Sequence, residues 1–402
     1  MLSVEEALER VLSRVEPVSA ERVSLISALD RVLAEPVRAA FDIPPWPNSS
    51  MDGYALRSVD VRRASPERPV GLTVVGVIRA GAVAARPVAP GEAFRIFTGA
   101  PVPQGADCVI PQEEVETDGQ VAKVLRPVAP GESVRPAGED MRAGEMVLDP
   151  GHRIGAAAVG VLATLGYAQV RVFRRPRVAI LSTGDELVDL GGAIGPGKIL
   201  NSNTYSLMAQ VVEAGGEPIN LGVASDSPET IQEHLRWGLK ADLLISSAGV
   251  SVGEFDFVRE ALTRLGAELH LWQVAMRPGK PITFGSLGPR PVFGLPGNPV
   301  SAMVTFELFV RPALRKMAGC RVLHRPTIQA RALAPIPNPG RRRGYLRVTL
   351  TPLDGGYGAR LTGEQGSAIL RSMVMADGLA VVPPDTTIPA AGEVTVISLK
   401  NP

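Results

Sequence analysis

RVAILSTG, Arg177 to Gly184, is an apolar run that breaks off into small polar residues and a glycine. After it, SNTYSLMAQVVEAGG (Ser202 to Gly216) carries apolar residues at helical spacing and closes on two glycines. The pair sets a rhythm. PINLGVASD (Pro218 to Asp226) predicts a strand, and SPETIQEHLRWGLK (Ser227 to Lys240) a helix with Ser227 as N-cap and Pro228 in its first turn. ADLLISSAG predicts a strand, DFVREALTRLGA a helix and LHLWQVAM a strand. PVFGLPG (Pro291 to Gly297) predicts the last strand, followed by the long helix VSAMVTFELFVRPALRKMAG. Parallel neighbours need a crossover, and a helix is the usual one, so the alternation predicts a doubly wound, mostly parallel sheet covered on both faces.

The textures on either side differ. Residues 1–40 and 141–175 read as an elongated helical domain, 41–140 as a β-rich domain, 176–322 as the α/β domain and 323–402 as a small C-terminal β-barrel. MLSVEEALERVLSRV is an amphipathic helix pattern with no apolar signal core. IGAAAVGVLATLGYA (Ile154 to Ala168) is too short and too glycine-rich to span a bilayer, and predicts a buried helix packed closely through small residues. RPVAPGE occurs at Arg86 and again at Arg126, each copy expected as a Pro-Gly turn entering a strand.

The formal net charge of +1 and an aromatic content of 4% argue against nucleic-acid or membrane-surface binding as the main activity. Two cysteines, Cys108 and Cys320, stand in no metal-ligand spacing and fit a reducing cytoplasm. Cys108 in GADCVIP reads as a buried strand cysteine. His152, His234, His270 and His324 form no ligand pattern and are expected on surfaces.

Open α/β sheets bind ligands outside the carboxyl ends of their strands. The loops there carry Asp185 and Glu186 (STGDE), Asp226, the SSAGVSVGEFDFV loop with Ser251, Glu254 and Asp256, Arg277 and Lys280 (RPGKP), and Asn298 (GLPGNP). Each is ambiguous alone. SSAGVSVGEFDFV can cradle an anion, hold a metal ion or simply turn a strand into a helix, and a lone Asp after a strand is more often an N-cap. Jointly, cations and glycine-flanked N–H groups suit an oxyanion or phosphate, and the acids suit Mg2+ or another divalent ion. No Walker motif or Rossmann GxGxxG is present, so positioning and electrostatics are expected rather than covalent catalysis.

STGDEL, SSAGVSVGEFDF, MRPGKP and FGLPGNPVS resemble the sheet domain of the MoeA/gephyrin E-domain family, the molybdopterin molybdenumtransferases. So do PPWPNSSMDGYA (Pro44 to Ala55), IFTGAPVPQGADCVIPQEE (Ile96 to Glu114), RPAGEDM (Arg135 to Met141) and GEQGSAILRSMVMADGLAVVP, in order along nearly the whole chain. The resemblance implies molybdenum insertion: adenylylated molybdopterin and molybdate become molybdenum cofactor, AMP is released and a divalent metal assists. It further implies a homodimer with its active site in the cleft between subunits, and an exchange with the molybdopterin adenylyltransferase.

By the same resemblance Asp52, Thr98, Asp140, Glu186, Asp226, Asp256 and Lys280 are catalytic, with Glu186, Asp226 and Asp256 on the metal. Ser182, Thr183, Gly249, Ser251, Gly253, Arg277, Pro296, Asn298, Pro299, Arg342, Arg347, Ser367 and Ser372 are the implied substrate or oxyanion contacts. Read without it, Asp52 and Thr98 are ordinary turn residues, Asp140 is a cap, and RRR at 341–343 is a solvated hairpin. Three positions depart from the family pattern: Ala248 stands for a glycine, Arg277 for a frequent Lys and Glu254 for a frequent Asp. Two alternatives are a Mg/ATP-dependent molybdopterin adenylyltransferase and a gephyrin-like scaffold module. The first lacks its TGGTG loop here, and the second its usual fused domain.

Overall fold

Along the strand Arg177–Thr183, Val178 and Ile180 are buried with one set of partners and Ala179 and Leu181 with another. The period of two sends alternate side chains to opposite faces, so an all-apolar run requires cover on both. The computed structural model supplies it. It describes residues 1–248 and 257–400. One face packs under Val4–Leu12, Ser202–Glu213 and the helix that begins at Pro299; the other packs under Pro228–Trp237 and Phe257–Arg264. Helix Val4–Leu12 starts in a capping box, with Glu6 N–H donating to Ser3 Oγ at 3.1 Å and Ser3 N–H to Glu6 Oε2 at 2.8 Å.

The sheet has six strands in the order Glu217–Ala224, Arg177–Thr183, Leu243–Ser247, Arg290–Leu295, Pro281–Leu287, Glu268–Gln273. The first three junctions are parallel and the last two antiparallel. The expected doubly wound sheet is thus present, with one strand the sequence reading omitted. Pro281–Leu287 looks like loop because a proline opens it and Gly285 interrupts it. Gly285 is there for close approach: a Cβ would lie 2.6 Å from Glu268 O across the antiparallel pair.

The C-terminal barrel closes from five strands, Thr327–Ala332, Arg343–Leu353, Gly356–Leu361, Gly378–Val382 and Glu393–Ser398, each paired to two others. Met276–Arg277 pairs with the start of Arg343–Leu353 and so brings the RPGKP segment beside the barrel.

The chain divides into two compact units: residues 1–35, 151–159 and 168–402 in one, 36–150 and 160–167 in the other. The second is built on a six-stranded sheet that includes Gly53–Leu56, Val70–Ile78, Glu92–Ile96 and Cys108–Pro111. The RPVAPGE copies make the same clasp twice. Arg86 Nη1 donates to Glu92 Oε2 (2.7 Å), which also accepts from Ala89 N–H; Arg126 Nη2 donates to Glu132 (2.6 Å), whose Oε2 accepts from Ala129 N–H. Each ion pair locks a Pro-Gly turn.

Two helical expectations need correction. Residues 1–40 hold one α-helix and then the strand Ala20–Ser24, which pairs with Gln169–Phe173; its partner lies far along the chain and does not show in AERVS itself. Helix Ala156–Thr164 is largely exposed rather than buried. A Cβ added at Gly155 or Gly160 meets nothing within 4 Å, so these glycines mark no close packing. Among the described residues no helix is long and apolar enough to cross a membrane. Cys108 is buried in its strand, and desolvation pushes its thiol up to about 12. His152 and His324 are exposed, whereas His234 and His270 are half-buried.

Candidate active site

The strand pairings bring Thr183, Ala224, Ser247, Leu295 and Pro281 to one sheet edge. A cavity of about 620 Å3 opens there, lined among others by Glu186, Asn201, Asn203, Ser247, Pro296 and Asn298. Pro299 and Ala368 complete its wall on the helix and barrel sides. Asn201 caps the helix Ser202–Glu213, accepting from Thr204 N–H at 3.2 Å. Two residues on, Asn203 Nδ2 donates to Ser247 Oγ (2.8 Å) and Gly297 O (2.7 Å), tying the helix start to two neighbouring loops. Neither asparagine is among the expected site residues; the signal was the NSN run at 201–203, read only as a helix start.

Several polar atoms near this edge of the sheet are unpaired, and Asn203 is the one of them that lines the cavity. Asn203 Oδ1, Thr183 Oγ1, Ser246 Oγ and Thr283 Oγ1 are buried without a hydrogen-bond partner among the described residues. A buried orphan of this kind costs about 1–3 kcal/mol, so Asn203 Oδ1 on the cavity wall marks a place built to meet something polar. Ser182 is different: it is buried and joined to Asn201 Oδ1 (3.1 Å) and Thr204 Oγ1 (2.7 Å), so it braces the helix cap instead of reaching the cavity.

The acids converge partly. Asp226 N–H donates to Asp185 Oδ1 at 3.2 Å. Asp226 remains open to solvent, yet desolvation by the surrounding protein, followed by repulsion from Asp185 and Glu186, pushes its carboxyl above its ordinary value. The Glu186 carboxyl folds back over Gly184, where a Cβ would lie 2.5 Å from Oε2. The described residues contain no cluster of three His, Cys, Asp or Glu side chains able to hold a metal ion. The third expected ligand, Asp256, lies outside the described residues, as do Gly249, Ser251, Gly253 and Glu254.

Residues 2–166 match the MoeA N-terminal region (domain I and II), 179–316 a probable molybdopterin binding domain, and 329–399 the MoeA C-terminal region (domain IV). The chain is 41% identical to the molybdopterin molybdenumtransferase of Nostoc sp. over 94% of its own length and 88% of that protein. It is 35% identical to the Bacillus subtilis molybdopterin molybdenumtransferase over 96% and 91% of the two chains. The crystal structure of the molybdopterin biosynthesis MoeA protein from Pyrococcus horikosii superposes with a TM-score of 0.86 at 33% identity, covering 100% of both chains. The chain belongs to the MoeA family.

Further residues expected from the MoeA pattern fall into two groups. On the barrel side, Arg347 is fully buried. Its Nε donates to Ser372 Oγ and its Nη2 to Gly366 O, both at 3.0 Å, while Nη1 has no partner among the described residues. It therefore acts on the segment that carries Ser367. Asn298 Nδ2 donates to Ser367 Oγ (3.0 Å) and Val300 N–H to Ser367 O (3.0 Å), so this MoeA helix start is tied to the barrel. Pro299 has no N–H, so two of the first donors of that helix are closed to a ligand. Arg277 is exposed, 3.4 Å from Pro339 O; Arg342 Nη1 reaches Met276 O at 3.2 Å, and Lys280 is half-buried.

In the other unit, Thr98 N–H and Oγ1–H both donate to Asp52 Oδ1, at 2.8 and 2.7 Å. The backbone bond, then the hydroxyl, hold the Asp52 carboxyl below its usual value, so it is ionised. The structure thus joins Asp52 to Thr98. Asp140 is exposed, its N–H donating to Ile43 O at 3.0 Å. Of the three departures, Ala248 is explicit: its φ is 74°, the left-handed region that a glycine enters without strain.

Proposed function

We infer that this MoeA-family chain is a molybdopterin molybdenumtransferase, the enzyme that inserts molybdenum during molybdenum cofactor biosynthesis. The observation that carries the reading is the cavity of about 620 Å3 at the carboxyl edge of the sheet, lined by Glu186, Asn203 and Asn298, where Asn203 Oδ1 is buried without a partner among the described residues. The substrates are adenylylated molybdopterin and molybdate, and the phosphoanhydride of the first breaks to release AMP. In this reading Lys280 and Arg277 attract molybdate, and Asn203 and Asn298 order the loops around the pterin. Arg347 and Ser372 set the position of Ser367.

A divalent cation such as Mg2+ fits the donor set. Its partners here are hard carboxylate oxygens, and the mutual repulsion of Asp226, Asp185 and Glu186 is what a cation would relieve. Glu186 and Asp226 would hold it, with Asp256 and the substrate phosphates as further oxygen donors. When bound, it supplies charge neutralisation for the AMP phosphate as it leaves. Asp52, kept ionised by Thr98, adds a further carboxylate to the proposed machinery.

We also propose the organisation expected from the family: four domains, the first built from the segments 1–40 and 141–175, then a β-rich, an α/β and a barrel domain, assembled as a homodimer with its active site in the cleft between subunits. The proposed setting is the cytoplasm, in exchange with the adenylyltransferase; the free thiols of Cys108 and Cys320 support a reducing compartment. Purified protein given adenylylated molybdopterin, molybdate and Mg2+ is expected to release AMP without ATP. AMP formation only with ATP would transfer the assignment to adenylylation, and none under either condition would overturn it.

A further inference from the structure

A second cavity, of about 680 Å3, shares no lining residue with the first. The two lie at opposite ends of one helix: Asn201 to Asn203 border the first, Ala214 and Gly215 the second. That helix, Ser202–Glu213, has 12 residues, so about 18 Å separates its ends at 1.5 Å per residue. The second cavity is therefore not an extension of the candidate active site.

Its wall is cationic. Eight Arg and Lys side chains line it, against two acids, Asp30 and Glu213. Four more carboxylates stand behind the wall as partners of those cations: Glu21, Asp242, Glu307 and Asp377. Eight cations against six carboxylates leave two positive charges. The carboxyl end of the helix contributes about half a negative charge, which does not cancel them.

The surplus can be located. Arg325 holds Glu307 at 2.6 Å, so Arg311, 3.8 Å from the same carboxylate, must share it. The Arg311 side chain is only 12% exposed and its Nε has no hydrogen-bond partner among the described residues. Desolvation, then repulsion from Arg325, pushes its guanidinium down. Arg315 donates Nε to Val322 O at 2.6 Å, and Arg175 is exposed; neither has a carboxylate partner among the described residues. A buried donor with no acceptor and two uncompensated guanidiniums favour a tetrahedral oxyanion, which accepts several N–H bonds and carries the missing charge.

We propose that this cavity is a second anion site, binding inorganic phosphate or a phosphate group through Arg175, Arg311 and Arg315. The site stands whether or not the chain inserts molybdenum. The test is calorimetric titration of the full-length protein with inorganic phosphate. A dissociation constant of about 1 mM is expected, weakened about tenfold in Arg175→Glu and in Arg315→Gln. Lys280→Gln, altered in the RPGKP segment and outside this cavity's lining, is expected to bind within about twofold of the native protein. Arg175 is exposed and unpaired among the described residues, so its reversal leaves packing intact and keeps the test decisive. Absence of binding by the native protein up to about 50 mM would overturn the proposal. So would unchanged affinity in both arginine variants, or loss of binding in Lys280→Gln.

Discussion

Arg347→Met separates what a buried charge does for the fold from what it does for the site. The guanidinium is fully buried and makes two side-chain hydrogen bonds, to Ser372 Oγ and Gly366 O. At about 1.5 kcal/mol each, these contribute about 3 kcal/mol. Against them stands the cost of keeping the charge. Desolvation, then the nearby Arg277, pulls the guanidinium from its ordinary range down to about 10, and at 1.36 kcal/mol per pKa unit that is about 3 kcal/mol. The terms nearly cancel, and Met fills a similar volume, so chemical denaturation is expected to shift by no more than about 1 kcal/mol at pH 7.

Function has no such cancellation. The two bonds hold the segment carrying Ser367, which ties to Asn298 on the cavity wall. AMP release is expected to fall by about 10- to 100-fold in the variant. The pH dependence adds a second readout. A cationic group with a depressed folded pKa loses its proton first in the folded state, so from about pH 10 up to the ordinary arginine range the unfolded chain binds the extra proton. Stability of the native protein relative to Arg347→Met therefore rises as pH increases through that window. A stability loss above about 3 kcal/mol would refute the cancellation, and unchanged AMP release would refute the link from Arg347 through Ser367 to the cavity.

Two further outcomes follow from local geometry. Ala248→Gly is expected to stabilise the protein by about 0.5–1 kcal/mol in denaturant titration, because Ala248 sits at φ 74°, where a side chain costs about 1–2 kcal/mol and glycine's entropy returns only part. Asp226→Asn is expected to lower AMP release by at least about tenfold while raising the melting temperature in metal-free buffer by about 1 °C, since it removes a repulsion worth about 0.5 kcal/mol at an exposed site. The sign follows from the raised carboxyl: the ionised form is disfavoured in the folded state, so the native protein loses stability as pH rises from the ordinary Asp range through the raised value. A melting temperature that drops in Asp226→Asn would show the carboxylate to be a structural partner instead.

Local pattern determined a great deal. The alternation that starts at Arg177 dictates a two-faced parallel sheet, because an apolar strand covered on both sides has few other solutions, and the loops at its carboxyl edge could be named in advance. Glu186, Pro296, Asn298 and Pro299 meet at one cavity for that reason. The same pattern could not separate Ser182, turned inward to Asn201 and Thr204, from a ligand contact, because hydrogen-bond partners from a distant helix do not show in a strand's own residues. It hid Pro281–Leu287, whose place depends on a neighbour that tolerates only glycine at residue 285. It also overstated the burial of Ala156–Thr164, since an apolar composition does not say what, if anything, covers a helix.

The balance of charge was the least legible. Arg347 has no carboxylate partner among the described residues, and Arg175, Arg311 and Arg315 are drawn from separate segments to one cavity. In sequence those last three look like ordinary solvated cations, with acids nearby in a chain of net charge +1. Local propensities and period decided the elements. Only the tertiary structure decided which charges were left without a partner, because burial and Coulomb attraction act across space and not along the chain.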